Sequence, residues 1–148
     1  LSIEANLGFW MGGKMSSRTL AAGLAAVLIL TSGCSNYGCG SCVNEPLVTK
    51  ESLVFGYSGD FVNYYATDSY FWFTDLHDAY VTLDGLKFDG VVRIQIYDSF
   101  NFLIFDGTFF GNGGNVIYKS LSNLGAPGLW EVVIDSTNVD GYLQVVLN

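Results

Sequence analysis

Few residues in this chain are of types that do chemistry, and their spacing limits what they could do. The single histidine, His77, lies in Asp75-Leu76-His77-Asp78 between two strand-like runs. A serine-hydrolase mechanism would have to recruit it as the base, yet no G-x-S-x-G elbow accompanies it. An exposed turn is the reading its neighbours favour. Glycoside cleavage needs a carboxylic acid of raised pKa beside an ionised partner. Glu131, Asp98 and Asp135 are the candidates for such a pair, whereas many of the other aspartates adjoin glycine and serve the backbone of a turn. These acidic turns carry the competing reading, a secreted hydrolase or calcium-dependent enzyme. Calcium takes six to eight oxygen ligands, and no Asp-x-Asp-x-Asp-Gly loop is present. Neither a catalytic residue nor a metal site is assigned.

The cysteines are more informative. Cys39-Gly40-Ser41-Cys42 has the spacing of a redox pair, half a zinc site or a small disulfide loop. A structural zinc site wants four ligands, and His77 is the only further nitrogen or sulfur ligand downstream. A thioredoxin-like role needs a βαβ context that the pattern does not suggest. Outside the cytoplasm oxidation is favoured, so a local disulfide or inert pair leads, ahead of intermolecular, metal or redox roles. The aromatics Tyr64-Tyr65 and Tyr70-Phe71-Trp72-Phe73 fall on both faces of one strand. One face must be core; Tyr64, Tyr70 and Trp72 are the candidates for a ligand platform, and core packing explains them equally well.

The third cysteine, Cys34, ends an export signal. Residues 11–33 contain a basic stretch with Lys14 and Arg18, an apolar run from Leu20 to Leu30 and the small residues Thr31-Ser32-Gly33. The run is too short for a spanning helix, which needs about 20 residues. Leu30-Thr31-Ser32-Gly33-Cys34 resembles the lipobox of bacterial lipoproteins, with Thr31 in the place more often held by Leu. The resemblance implies cleavage before Cys34 and a covalent lipid on it. Two or three acyl chains, at about 0.8 kcal/mol per buried methylene, anchor stably where one is marginal. It also implies a bacterial cell envelope location, with Ser35 pointing to the outer membrane if the host has one. Residues 1–10 precede both methionines and read as an over-extended start. Residues 34–50, rich in Asn, Gly and Ser with Pro46, have the composition of a flexible tether.

Past the leader, thirteen carboxylates face only Lys50, Lys87, Arg93 and Lys119. A surface that binds nucleic acid neutralises phosphates with Lys and Arg, so that partner class is excluded, and electrostatic attachment to anionic lipid is disfavoured in the same way. Membrane contact would come through the lipid. The partners left are protein or glycan components of the envelope.

Residues 51–148 must supply the domain. Half of the chain is hydrophobic and 16% is aromatic, enough for one packed core. Short runs of Val, Ile, Tyr, Phe and Trp predict about eight strands, at 52–57, 61–74, 79–83, 91–97, 102–109, 115–120, 129–135 and 142–147. Asp84-Gly85, Asp89-Gly90, Asp106-Gly107, Asn112-Gly113 and Asp140-Gly141 offer positive-φ positions for tight turns between them. Alternation sets Val92, Ile94 and Ile96 against Arg93, Gln95 and Tyr97, and Trp130, Val132 and Ile134 against Glu131, Val133 and Asp135. Leu143, Val145 and Leu147 likewise oppose Tyr142 and Gln144. The expectation is an all-β antiparallel sandwich or jelly roll.

Three segments resemble the bacterial pre-peptidase C-terminal domain and related jelly-roll modules: Tyr70-Phe71-Trp72-Phe73-Thr74, Val91 through Ile96 into Tyr97-Asp98-Ser99, and Pro127-Gly128-Leu129-Trp130-Glu131-Val132 with the closing Gly141-Tyr142-Leu143. The resemblance implies an accessory module that is not itself catalytic.

Overall fold

The computed structural model describes residues 43–148. They form five strands, β1 (Leu47–Glu51), β2 (Val54–Thr74), β3 (Tyr80–Tyr97), β4 (Leu103–Leu121) and β5 (Gly128–Leu147). All pair antiparallel in one open sheet of order β1-β2-β5-β3-β4. The described residues are therefore all-β, but the eight short strands in two sheets are not what is found. Each long strand takes in two of the predicted ones, with 52–57 and 61–74 falling in β2 and its hairpin turn, and 129–135 and 142–147 both in β5.

A strand of 21 residues at about 3.3 Å per residue would run about 70 Å if straight. β2 does nothing of the kind. Phe55 and Trp72, near its two ends, have ring centroids 6.0 Å apart, Tyr57 and Tyr70 are also 6.0 Å apart, and Phe61 and Tyr64 are 4.7 Å apart. These pairs nest like the rungs of a closing hairpin, so β2 doubles back on itself around residues 61–64. The pairing of β2 with β5 slips between Phe61 and Ala66, and that of β3 with its neighbours between Gly85 and Val91. Such slips are β-bulges, which bend a strand and deepen its twist.

The Asx-Gly dipeptides explain the difference. Gly90, Gly113 and Gly141 do have positive φ, at 97°, 79° and 94°, as the turn reading requires. They lie inside β3, β4 and β5, however, where they redirect a strand that keeps its partners. A Cβ on Gly141 would run into the Lys87 carbonyl, and one on Gly90 into the Asn138 carbonyl. The bends of adjacent strands thus pack backbone to backbone. Asp84-Gly85 and Asp106-Gly107 are also within strands.

The faces follow the alternation. Val92, Ile94, Ile96, Trp130, Val132, Ile134, Leu143, Val145 and Leu147 are all buried, and the folded sheet closes over them as one core. Trp72 and Trp130 meet edge to face at 5.7 Å near its open end. There Asp98 ties the loops together. Its Oδ1 accepts from the backbone N–H groups of Phe100 and Phe102, and its Oδ2 from that of Ala126. The Trp130 indole donates to the Ala126 carbonyl.

The sheet also begins earlier than composition suggests. Residues 47–50, assigned to the tether, belong to β1, and Asn44 extends the contact. Its side chain accepts from the Val62 N–H and donates to the Val62 carbonyl, while its N–H donates to Asp60.

Candidate functional site

Of the residues with chemical potential, most serve the backbone or one another. His77 is exposed, and its carbonyl accepts the Gly125 N–H at 2.6 Å. Asp98 is held in its ionised form. The Ala126 N–H lowers its pKa most, with Phe102 and Phe100 adding to this against the opposing effect of desolvation. Glu131 accepts from Ser69 and Asp135 from Thr67, both on the outward face of β5. Four residues along a strand separate Glu131 and Asp135 by about 13 Å. That is wider than the roughly 5–9.5 Å that either course of glycoside hydrolysis uses. Among the described residues no group of three or more His, Cys, Asp or Glu is placed to hold a metal ion. Cys34, Cys39 and Cys42, with the leader and most of the tether, lie outside the described residues.

The aromatic strand is where side chains converge. Tyr64, Tyr70 and Trp72 have the same parity, and β2 turns that parity inward. Trp72 is only 1% exposed, and its indole N–H donates to the Glu51 carbonyl. It is a core residue, and no ligand can reach its ring. This corrects one member of the expected platform. The rings that alternation sends outward are Tyr65, Phe71 at 59% exposed and Phe73 at 64%.

Tyr64 and Tyr70 are partly buried, for a topological reason. β1 pairs with only the first arm of β2, through Val54 to Ser58. Beyond the Asn44 contacts, the second arm, from about Ala66 to Thr74, is bonded to β5 on one side and has no strand on the other among the described residues. The far end of this arm is tied back to β1 and the turn after it, where the Trp72 indole donates to the Glu51 carbonyl and the Thr74 hydroxyl to that of Ser52. Of the inward residues along this arm, Ala66, Asp68 and Tyr70 are partly exposed, whereas Trp72 and Thr74 are buried.

Around Asp68 they form a polar cluster. Its Oδ2 accepts from the hydroxyls of Tyr57, at 3.2 Å, and Tyr64, at 3.0 Å. Lys50 on β1 sets its ammonium 5.4 Å from the centre of the Tyr70 ring, a cation–π contact worth about 0.5–1 kcal/mol when exposed. Burial first, and the Asp68 charge second, push the Tyr70 phenol up to about 12. Burial also leads the upward shifts of Tyr57 and Tyr64, reinforced by Asp68. All three phenols stay neutral at physiological pH and remain hydrogen-bond donors. The cluster offers two partly exposed aromatic rings, Tyr64 and Tyr70, with one carboxylate and one ammonium, while the Tyr57 ring is buried beneath them. It holds no nucleophile with an adjacent base, so its capacity is for recognition.

Parity alone would have flagged Tyr64 and Tyr70 as sharing the core face. Asp68 and Lys50 were not legible as their partners, because that depends on the fold-back of β2. The chain matches no protein-family model and no curated protein.

Proposed function

We propose that the chain is a lipid-anchored bacterial envelope protein whose β-domain binds protein or glycan components of the envelope without transforming them. The anchor rests on the lipobox-like segment ending at Cys34 and on the acidic balance, which leaves lipid as the means of membrane attachment. The binding role rests chiefly on one observation: Tyr64 and Tyr70, partly exposed, gather with Asp68 and Lys50 at an edge of the described sheet. Exposed aromatic rings beside a few oriented polar groups are the usual make-up of a recognition surface.

Glycan-array and envelope-extract binding by the full exported chain tests this. Tyr70→Ala should weaken retention about tenfold, as truncating an aromatic anchor does, while leaving the thermal transition cooperative. Binding that survives both Tyr64→Ala and Tyr70→Ala would remove this edge as the site. Turnover of a bound glycan or peptide would remove the non-catalytic reading.

A further inference from the structure

Asn112-Gly113 is the one Asn-Gly dipeptide of the chain, and β4 carries it through a bend where the pattern suggests a turn. Phe88 pairs with Gly114 and Asp89 with Asn112, so the ladder passes over Gly113, which has no partner residue on β3. Gly113 is the extra residue of a bulge, with φ at 79°. Asn112 and Gly113 are both exposed, and among the described residues a Cβ on Gly113 would meet nothing within 4 Å. The Asn112 side chain folds over the following peptide, its Oδ1 accepting the Gly114 N–H at 3.2 Å, as in an Asx turn.

This is the setting in which an asparagine reacts with its own backbone, the reaction that makes the residue thermolabile. Its side-chain amide carbon is an electrophile, and the next main-chain nitrogen can close a five-membered ring on it. A side chain on the following residue hinders that closure. Gly113 has none, and the bulge leaves it without a partner residue to hold it. The other described asparagines that have a successor precede Glu45, Tyr64, Phe102, Val116, Leu124 and Val139. Asn44 and Asn115 are held further by side-chain bonds to the Val62 and Lys87 N–H groups.

We propose that Asn112 is a site of spontaneous deamidation, which converts it to aspartate and isoaspartate. The Gly113 nitrogen gives up its proton and its electron pair attacks the Asn112 Cγ. The Cγ–Nδ2 bond breaks, and ammonia leaves with that proton, giving a succinimide. Solvent water then opens the ring. Opening at Cγ yields aspartate on the original main chain, whereas opening at the main-chain carbonyl yields isoaspartate, whose backbone runs through Cγ and is one methylene longer. One water enters and one ammonia leaves, with no redox step.

The register gives the change a consequence. Asp89 on β3 lies across from Asn112 on one side and from Asp140 on β5 on the other. Asn112 is thus the neutral member of a row whose other two members are carboxylates. Both already serve bends, Asp89 accepting from the Gly90 N–H and Asp140 from that of Asn63. A further negative charge directly opposite Asp89 is unfavourable, and isoaspartate also lengthens β4 at its bend. The modification is independent of what the domain binds.

Peptide mapping by mass spectrometry of the full chain, held folded at neutral pH and physiological temperature, reads the site directly. Asn112 should gain about 1 Da before any other asparagine, as two products that chromatography resolves. Its rate in the folded chain should stay within about threefold of its rate in urea, because an exposed bulge gives little protection. Aged protein should melt about 2–5 °C below fresh protein. That loss should be missing from Asn112→Gln, whose longer side chain cannot close a five-membered ring. Asn112 left intact in the folded chain while it reacts in urea would overturn the proposal, since the fold would then be protecting it, and so would another asparagine reacting first. A deamidated chain that melts as the fresh one does would overturn the consequence drawn for the bend.

Discussion

Trp72 and Tyr70 lie two positions apart on the same strand face, and the difference between them separates packing from recognition. Trp72 is sealed between Phe55 and Trp130, so Trp72→Ala removes a large buried ring and should cost about 3–5 kcal/mol. Tyr70 reaches the open edge, and Tyr70→Ala should cost well under half as much. Urea denaturation of the two variants checks this, and a smaller loss for Trp72→Ala than for Tyr70→Ala would contradict the assignment. Asp98 illustrates a different point: a carboxylate that looks available for chemistry is committed to three backbone N–H groups. Its pKa is lower folded than unfolded. The stability it contributes is therefore complete above the unfolded aspartate pKa, about 3.9, and is lost as pH falls through the lower folded value. Thermal melts from neutral pH down to pH 2 should show the wild type losing an increment of stability in that acid range that Asp98→Ala, already less stable at neutral pH, lacks. Parallel acid profiles would show that Asp98 carries no such linkage.

At the level of strands, the sequence pattern and the structure agree on which residues are extended and which way they face, and disagree on where a strand ends. Val92-Arg93-Ile94-Gln95-Ile96 alternates plainly because burial acts residue by residue. Asp140-Gly141 is ambiguous, because a left-handed glycine suits a hairpin turn and a strand bend alike, and only the neighbouring strand decides which forms. That is why eight elements were legible where four long bent strands and a short β1 exist. β1 itself was hidden because Leu47-Val48-Thr49-Lys50-Glu51 is too short to stand out from the polar stretch before it. The bends make a prediction. Gly113 has positive φ but open space around its missing Cβ, whereas Gly141 has positive φ and the Lys87 backbone against it. Gly113→Ala should cost about 1 kcal/mol, the backbone penalty alone, and Gly141→Ala clearly more, since two bends must separate. Equal losses in calorimetry would mean that the bends do not pack as described.

For the molecule as a whole, sheet order was the least legible feature. Nothing local distinguishes β1-β2-β5-β3-β4 from other orders, since it depends on β5 inserting between β2 and β3. That order leaves the second arm of β2 at an edge of the described sheet with Tyr64 and Tyr70 partly exposed beside it, so part of the candidate site was also beyond sequence reading. The chain enters at Asn44 beside the β2 bend, while the loops fastened by Asp98 lie at the opposite, open end.

The central proposal sets the domain outside the cytoplasm on a lipid at Cys34, and intact-mass spectrometry of the protein purified from membranes addresses that proposal directly. The account predicts a chain that begins at Cys34 and carries the mass of a diacylglyceryl group, with or without a further acyl chain, and that moves to the soluble fraction in Cys34→Ser. A membrane-free chain retaining residues 11–33, or a cleaved chain with no added mass at Cys34, would contradict it.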